Sequence, residues 1–394
     1  YMSYQGGDDM TVPAHQLSPS SWNNYESCPR KYWLSRQRLP RKAGMAATIG
    51  TAVHDSVEDM CNLDISSRDA DEVGWLPPTA KAILDLHWQK EKDIFMGTPR
   101  HPAFKDGEII RAHDLLIGSL NLMISNAKIG KVRMSEVSIA QWRMVQDTVL
   151  AAEGTLRSSC GRLMGRLDLL VKELDEDRNP VGWIVADLKT GKMPTGGLYD
   201  TVSRQLRFYR DMLLEINPNA PRVRAQGWYS AGPKVYEAEG PSVLDDAFRA
   251  WEGMAITKEP LEANPNEDAC RFCEWKAWCP SWFYSRTNGT LPASEGLFRD
   301  EVAIVLQFDS DSGACMVELL TSKDEDGGII PSGKTVGIVC KGQSLDQMRS
   351  VMESDHRGAV FLGSIRSNSR PWAMGDWSEV LPWTPLLESI RDRK

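Results

Sequence analysis

The stretch Arg162–Gly191, RLMGRLDLLVKELDEDRNPVGWIVADLKTG, decides how this chain is read. Its outer parts, RLMGRLDLLVKEL (162–174) and WIVADLKTG (183–191), are apolar and predict two strands. DEDRNPVG (175–182) between them predicts a turn. A tight turn makes the strands antiparallel neighbours, which brings Asp168 and Asp187 close together. Two close carboxylates repel and are costly to strip of water. A hard divalent cation such as Mg²⁺ or Mn²⁺ removes that cost and prefers oxygen ligands. Lys189 follows Asp187 by two residues, so strand alternation puts both on one face. There a lysine can orient a water and stabilise charge developing on a phosphate. Two carboxylates and a lysine around a cation point to phosphodiester hydrolysis.

Reading outward, ATIGTAVHDSVEDMC (47–61) predicts a helix, with Ile49, Val53, Val57 and Met60 on one apolar stripe. His54 lies off that stripe and shares a face with Gly50, four residues earlier. Downstream, TVSRQLRFYRDMLLEIN (201–217) is an amphipathic helix. Gln205 and Tyr209 share one of its faces, with Arg204 and Arg207 nearby, and such a face can hold a nucleic-acid backbone. An isolated Asp-x-Lys triplet is common and a helical Tyr is most often core. The order of the pieces carries the reading.

That order, Gly50-Thr-Ala-Val-His54, Gly165-Arg-Leu-Asp168, Asp187-Leu-Lys189 and Gln205-Leu-Arg-Phe-Tyr209, resembles the RecB-like branch of the PD-(D/E)XK nucleases. The resemblance implies an α/β fold, a mixed β-sheet nuclease core flanked by helices. It implies that His54, Asp168 and Asp187 bind the catalytic metal and that Lys189 assists the attacking water. The cysteines extend it. Cys270, Cys273 and Cys279 form C-x₂-C-x₅-C, and Cys28 stands far upstream in Cys-Pro-Arg-Lys-Tyr. One distant cysteine plus such a triple is similar to the iron–sulfur members of that branch, the AddB nuclease domains and CRISPR-associated exonucleases among them. The four thiolates would hold a [4Fe–4S] cluster, with structural zinc as the alternative for a Cys₄ set. Either would staple the N-terminal helix to the end of the nuclease domain. Cys61, Cys160, Cys315 and Cys340 read as ordinary thiols.

The chain has 394 residues, 41% hydrophobic and 25% charged, with a net charge of −8. Two or three ordinary globular domains fit these values, and a polycation that coats nucleic acid does not. Eight cysteines are too sparse for a disulfide scaffold, so a reducing cytoplasm is expected. No apolar run reaches the roughly 20 residues of a membrane span, and the polar, acidic start is unlike a secretion signal. The expected organisation is a disordered leader (1–16), the nuclease domain with its staple (17–284) carrying a helical insertion (77–130), a linker (285–296) and a small all-β domain (297–394).

In that last domain EVAIVLQF, ACMVELLT, KTVGIVCK and AVFLGSIR alternate as strands, with the helix SLDQMRSVMES between the third and fourth, the order of an OB-like barrel. Trp372, Trp377 and Trp383 are barrel core or stacking residues. Gly328–Thr335 fits the phosphate-loop string G-x₄-G-K-[ST], but an acidic turn precedes it and a strand follows, so it reads as part of a hairpin. Arg30 and Lys31 open a basic run to Lys42 interleaved with Tyr32 and Trp33, a mixture suited to single-stranded nucleic acid. The whole points to a metal-dependent deoxyribonuclease, exo rather than endo, acting on single strands or ends in repair, recombination or defence. No helicase motif is present, so a motor, if required, would act in trans. The rival is a DNA-binding subunit with little cleavage of its own, and an ATPase rests only on the phosphate-loop string.

Overall fold

The computed structural model describes residues 15–294 and 296–390. The expected leader lies outside the described residues as far as 14. His15, at its end, stacks on Trp251 with ring centroids 4.7 Å apart.

In chain order the helices α1 (Pro19–Ser27), α2 (Pro29–Ser35), α3 (Met45–Asn62), α4 (Leu76–Gly97), α5 (Ile109–Asn126) and α6 (Ile139–Gln146) come first. Strands β1 (Val149–Arg157), β2 (Met164–Leu174) and β3 (Pro180–Lys189) follow. Then come α7 (Asp200–Ile216), β4 (Val223–Tyr229), β5 (Lys234–Glu237), α8 (Leu244–Gly253), α9 (Glu267–Arg271) and α10 (Pro280–Thr287). The chain ends with β6 (Phe298–Phe308), β7 (Ala314–Ser322), β8 (Ile329–Cys340), α11 (Gln343–Glu353), β9 (Val360–Arg366), β10 (Trp372–Met374) and β11 (Glu379–Pro382). The described residues divide into two compact units, one of those up to 23 with 44–97 and 105–255, the other of 24–43, 98–104 and those from 256 on.

The first unit holds a mixed sheet of order β1-β2-β3-β4-β5. β1, β2 and β3 run antiparallel as the hairpin reading requires, and α7 crosses over to place β4 parallel to β3. β3 buries Ile184, Val185, Ala186 and Leu188 in a nearly unbroken run. Helices covering both faces of a central strand produce that pattern in place of strict alternation. The stripe Ile49, Val53, Val57 and Met60 of α3 is buried as expected. Residues 77–130 are largely helical, yet α5 is no appendage. Gly118 lies so close to the backbone of Ser230 that a Cβ would stand 2.0 Å from its carbonyl oxygen. Beside it the Ser119 and Ser230 hydroxyls hydrogen-bond at 2.7 Å.

The second unit contains a closed five-stranded barrel. β6, β7 and β8 form a meander, β9 pairs with the other edge of β6, and β10 closes the ring by pairing with both β8 and β9. β11 extends along β9. The barrel interior is filled by Val317, Leu319, Ile338, Leu362 and Met374, with Trp372 among them and Met348 from α11. A second core joins Trp33 and Leu34 of α2, Cys270, Trp278, Cys279, Trp282 and Phe283 to the barrel residues Val302 and Phe361 and to Trp383, just after β11. The cysteine-bearing segments therefore share a core with the barrel, which cuts across the expected partition at 285–296: the large aromatics of α10 must bury their area against β-barrel side chains. Arg100 and Lys42 reach Glu379 at 2.7 and 3.0 Å, tying residues 98–104 and 24–43 into this unit. Of the three C-terminal tryptophans, Trp372 and Trp383 are core and Trp377 is exposed. Gly328–Thr335 runs into β8, paired with β7, and no helix opens after it. Among the described residues no helix is long and apolar enough to cross a membrane.

Candidate active site and cysteine cluster

Strand register aligns the acids. Leu169 pairs with Ala186, so Asp168 of β2 stands opposite Asp187 of β3 at the next step. On the other side, Ala152 pairs with Leu169 and Gly154 with Leu167, which puts Glu153 of β1 opposite Asp168. Three carboxylates thus form one row across three strands. The row ends on β4 at Gly227, partner of Asp187, which has no side chain to add. Like charges directly opposite on neighbouring strands destabilise a sheet. Here the cost is raised by burial, since Asp187 is only 4% exposed.

The protein's own cations bracket the row. Lys189 Nζ lies 2.6 Å from Asp187 Oδ2. Burial alone would push Lys189 down, but Asp187 outweighs it and holds the ammonium above its usual value. Burial raises Asp187, as does the Asp168 charge, while Lys189 pulls it back. His54 of α3 has Nδ1 3.2 Å from Asp168 and 3.6 Å from Glu153, with Nε2 3.1 Å from the Leu188 carbonyl. Burial would lower His54, but hydrogen bonds to Asp168 and Glu153 raise it to about 10. The Leu188 N–H donates to Asp168 at 2.7 Å. Donor atoms of His54, Glu153 and Asp168 all lie within 4.8 Å of one another, one nitrogen and two oxygens of the kind a small hard cation takes.

The motif glycines explain the packing. A Cβ on Gly165 would stand 2.5 Å from the Tyr209 ring, so that residue must be small for Tyr209 to sit beneath β2. Gly50 brings α3 against the end of β3, where a Cβ would just touch Thr190. Tyr209 corrects an expectation. It is 5% exposed and takes a hydrogen bond from Gln205 Nε2 at 3.3 Å, so it supports the site from below and presents almost no surface to DNA. Gln205 itself bridges the site, its Nε2 donating to Asp187 at 3.0 Å and its Oε1 accepting from Lys189 at 3.1 Å.

Glu153 escaped the sequence reading. Its backbone is left-handed, with φ 52°, a conformation that erases alternation along β1. Its other oxygen is 2.5 Å from Arg166. Only the register of β1 against β2, an acid fifteen positions before Asp168 across a Ser-Ser-Cys-Gly turn, could have revealed it.

In the second unit Cys28, Cys270, Cys273 and Cys279 line one small pocket, with Lys31 on its wall. All four are free thiols. Burial pushes the Cys273 and Cys279 thiols up, to about 11 and about 12. Cys28 caps the start of α2, which turns at Pro29. Arg30 corrects a second expectation: its Nε donates to the Leu261 carbonyl at 2.7 Å, and burial lowers its guanidinium beside the Cys279 and Cys28 sulfurs. Lys31 lines the thiol pocket, and both Arg30 and Lys31 lie close enough to interact with the sulfurs.

The profile of the PD-(D/E)XK nuclease superfamily matches residues 16–280, a span that holds the carboxylate row and all four cysteines. The match covers well over half the chain, and the chain belongs to this superfamily. A solved structure, SSO0001, is similar at 11% identity with a TM-score of 0.27, over 66% of this chain and 95% of that one. No curated protein matches. The superfamily consists of metal-dependent nucleases.

Proposed function

We propose that the protein is a RecB-like, Mg²⁺- or Mn²⁺-dependent deoxyribonuclease acting on single-stranded DNA or DNA ends, exonucleolytic rather than endonucleolytic, in repair, recombination or defence. The observation that carries this is the row Glu153, Asp168, Asp187 with Lys189 and His54 at its flanks. The donor set fits a hard divalent cation: three carboxylates in cross-strand register need a positive charge among them, and His54 adds a nitrogen. A cation held there supplies Lewis-acid stabilisation of the phosphate. His54, Glu153, Asp168 and Asp187 would hold it. Lys189 orients the attacking water and faces the charge that builds on the phosphate oxygens. Gln205 keeps Asp187 and Lys189 in one geometry, and Tyr209 fixes Gln205.

The cysteine quartet suits a [4Fe–4S] cluster. A [4Fe–4S] cluster takes four thiolates, the number that this pocket brings together. Arg30 and Lys31 supply the positive charge an anionic cluster attracts. Free thiols throughout fit a reducing cytoplasm. A three-strand meander, a helix, then a fourth strand beside the first and a fifth parallel to the third support an OB-like reading of the barrel. Such a barrel suits single strands, and a motor protein acting in trans would supply them.

The test is cleavage of end-labelled single- and double-stranded DNA by anaerobically purified protein with Mn²⁺, Mg²⁺ or chelator. Metal-dependent cutting is expected, with short products from ends. Absence of cutting with every metal and substrate would overturn the reading.

A further inference from the structure

Phe272 sits between two cluster cysteines, in Cys270-Arg-Phe-Cys273, and its ring is 85% exposed, more than any other large apolar side chain among the described residues. Leaving a phenyl ring in water forfeits the stabilisation its burial would bring. The Arg271 guanidinium lies over it at 5.3 Å. A second such pair stands on the barrel. Trp377 is 42% exposed, and Arg366 lies over its ring at 4.2 Å while also reaching Phe298 at 5.7 Å. The Trp377 indole N–H donates to the Ser364 carbonyl at 3.2 Å. Ser364 lines the same clefts as Arg271 and Phe272. The two ring–guanidinium pairs therefore flank one continuous surface of the second unit.

The charges on this surface are sorted. Arg286 and Arg299 pair with Glu301, and Lys276 with Asp300. Among the described residues neither Arg271 nor Arg366 meets a carboxylate. The two uncommitted guanidinium groups are the two seated on exposed rings. A protein partner would call for a contiguous apolar patch, but here the rings are single and separated by cations. In a duplex the base faces are already stacked. Single-stranded DNA offers what the surface lacks: base faces for the rings and phosphates for the guanidinium edges.

We propose that Phe272 and Trp377, with Arg271 and Arg366, form a single-strand track on the cysteine-and-barrel unit, in which the loop of the cysteine cluster itself presents a stacking ring. The choice of ligand rests on the deoxyribonuclease reading. The test measures anisotropy of fluorescein-labelled dT20 against the full-length protein, purified without oxygen, in chelator so that nothing is cut. Phe272→Ala and Trp377→Ala should each weaken binding about tenfold, while Phe272→Trp and Trp377→Phe keep it. Arg271→Ala and Arg366→Ala should each flatten the salt dependence by about 0.7 in log–log slope. Both rings are exposed, so melting temperature and iron content should hold, and Trp377, outside the cysteine loop, judges the track even if a Phe272 variant loses its cluster. Unchanged affinity in both alanine variants overturns the track. The two readings fail separately: a wild type that cuts nothing with Mn²⁺ but loses dT20 on ring removal keeps the track and loses the nuclease, whereas cutting with ring-independent binding does the reverse.

Discussion

The two units gather their functional atoms in opposite ways. In the first, Glu153, Asp168 and Asp187 come from adjacent strands of one sheet, and hydrogen-bonded register aligns them. In the second, four thiols arrive from segments far apart in sequence, Cys28 beside α2, Cys270 within α9, and Cys273 and Cys279 between α9 and α10. A sheet-borne site is rigid before its ligand arrives, because the ladder that holds it also holds the fold. A site assembled from distant segments relies on its ligand to hold those segments together, as metal-stapled folds do. Removing a ligand should then cost activity in the first unit and stability in the second.

The sharpest way to break that contrast is at the row itself. Asp187→Ala or Lys189→Ala should lower the cleavage rate by about 10³-fold or more, with dT20 affinity and melting temperature little changed. A large fall in melting temperature without loss of rate would reverse the contrast. In the other unit, with the proposed iron–sulfur cluster in place, Cys273→Ser should bleach its visible absorption and lower thermal stability by several degrees, while Cys61→Ser, a buried thiol of α3, leaves the colour intact. Equal colour in both proteins would remove the staple.

Glu153 sharpens the comparison further. Glu153→Gln keeps the size but removes a charge from the row, and Mn²⁺ affinity measured by electron paramagnetic resonance should fall about tenfold or more. An unchanged affinity would reduce Glu153 to a partner of Arg166. The pH dependence of the same titration has a fixed sign. Without metal, His54 holds its proton up to about pH 10, and a cation must displace that proton. Mn²⁺ affinity should therefore climb as pH rises towards 10, where the proton no longer competes. A flat profile would take His54 out of the ligand set.

The smallest expected effect is at Gly165. Gly165→Ala should cost about 1–3 kcal/mol, because the new methyl meets the Tyr209 ring, and Tyr209→Ala in the same chain should recover part of it. Additive losses measured by urea unfolding would mean the two residues do not meet.

What the sequence made legible follows the same division. The hairpin, its two acids and Lys189 could be read because strand alternation is local and short turns fix register. The barrel strands were visible for the same reason. Glu153 was hidden by a left-handed backbone that breaks alternation. Tyr209 and Arg30 were placed on DNA because a sequence shows residue type, not whether a glycine has opened space for a ring or a carbonyl waits for a guanidinium. The shared core of Trp33, Trp282, Phe361 and Trp383 was out of reach, since nothing local announces that aromatics of α2 and α10 will pack on β9.

The most direct measurement is the Mn²⁺-dependent cleavage of end-labelled single-stranded DNA by wild type and Asp187→Ala side by side, both purified without oxygen. The expected result is a ladder of short products from wild type, abolished by chelator, and intact substrate with the variant. Equal cleavage by the two proteins would contradict the assignment of the carboxylate row as the catalytic centre.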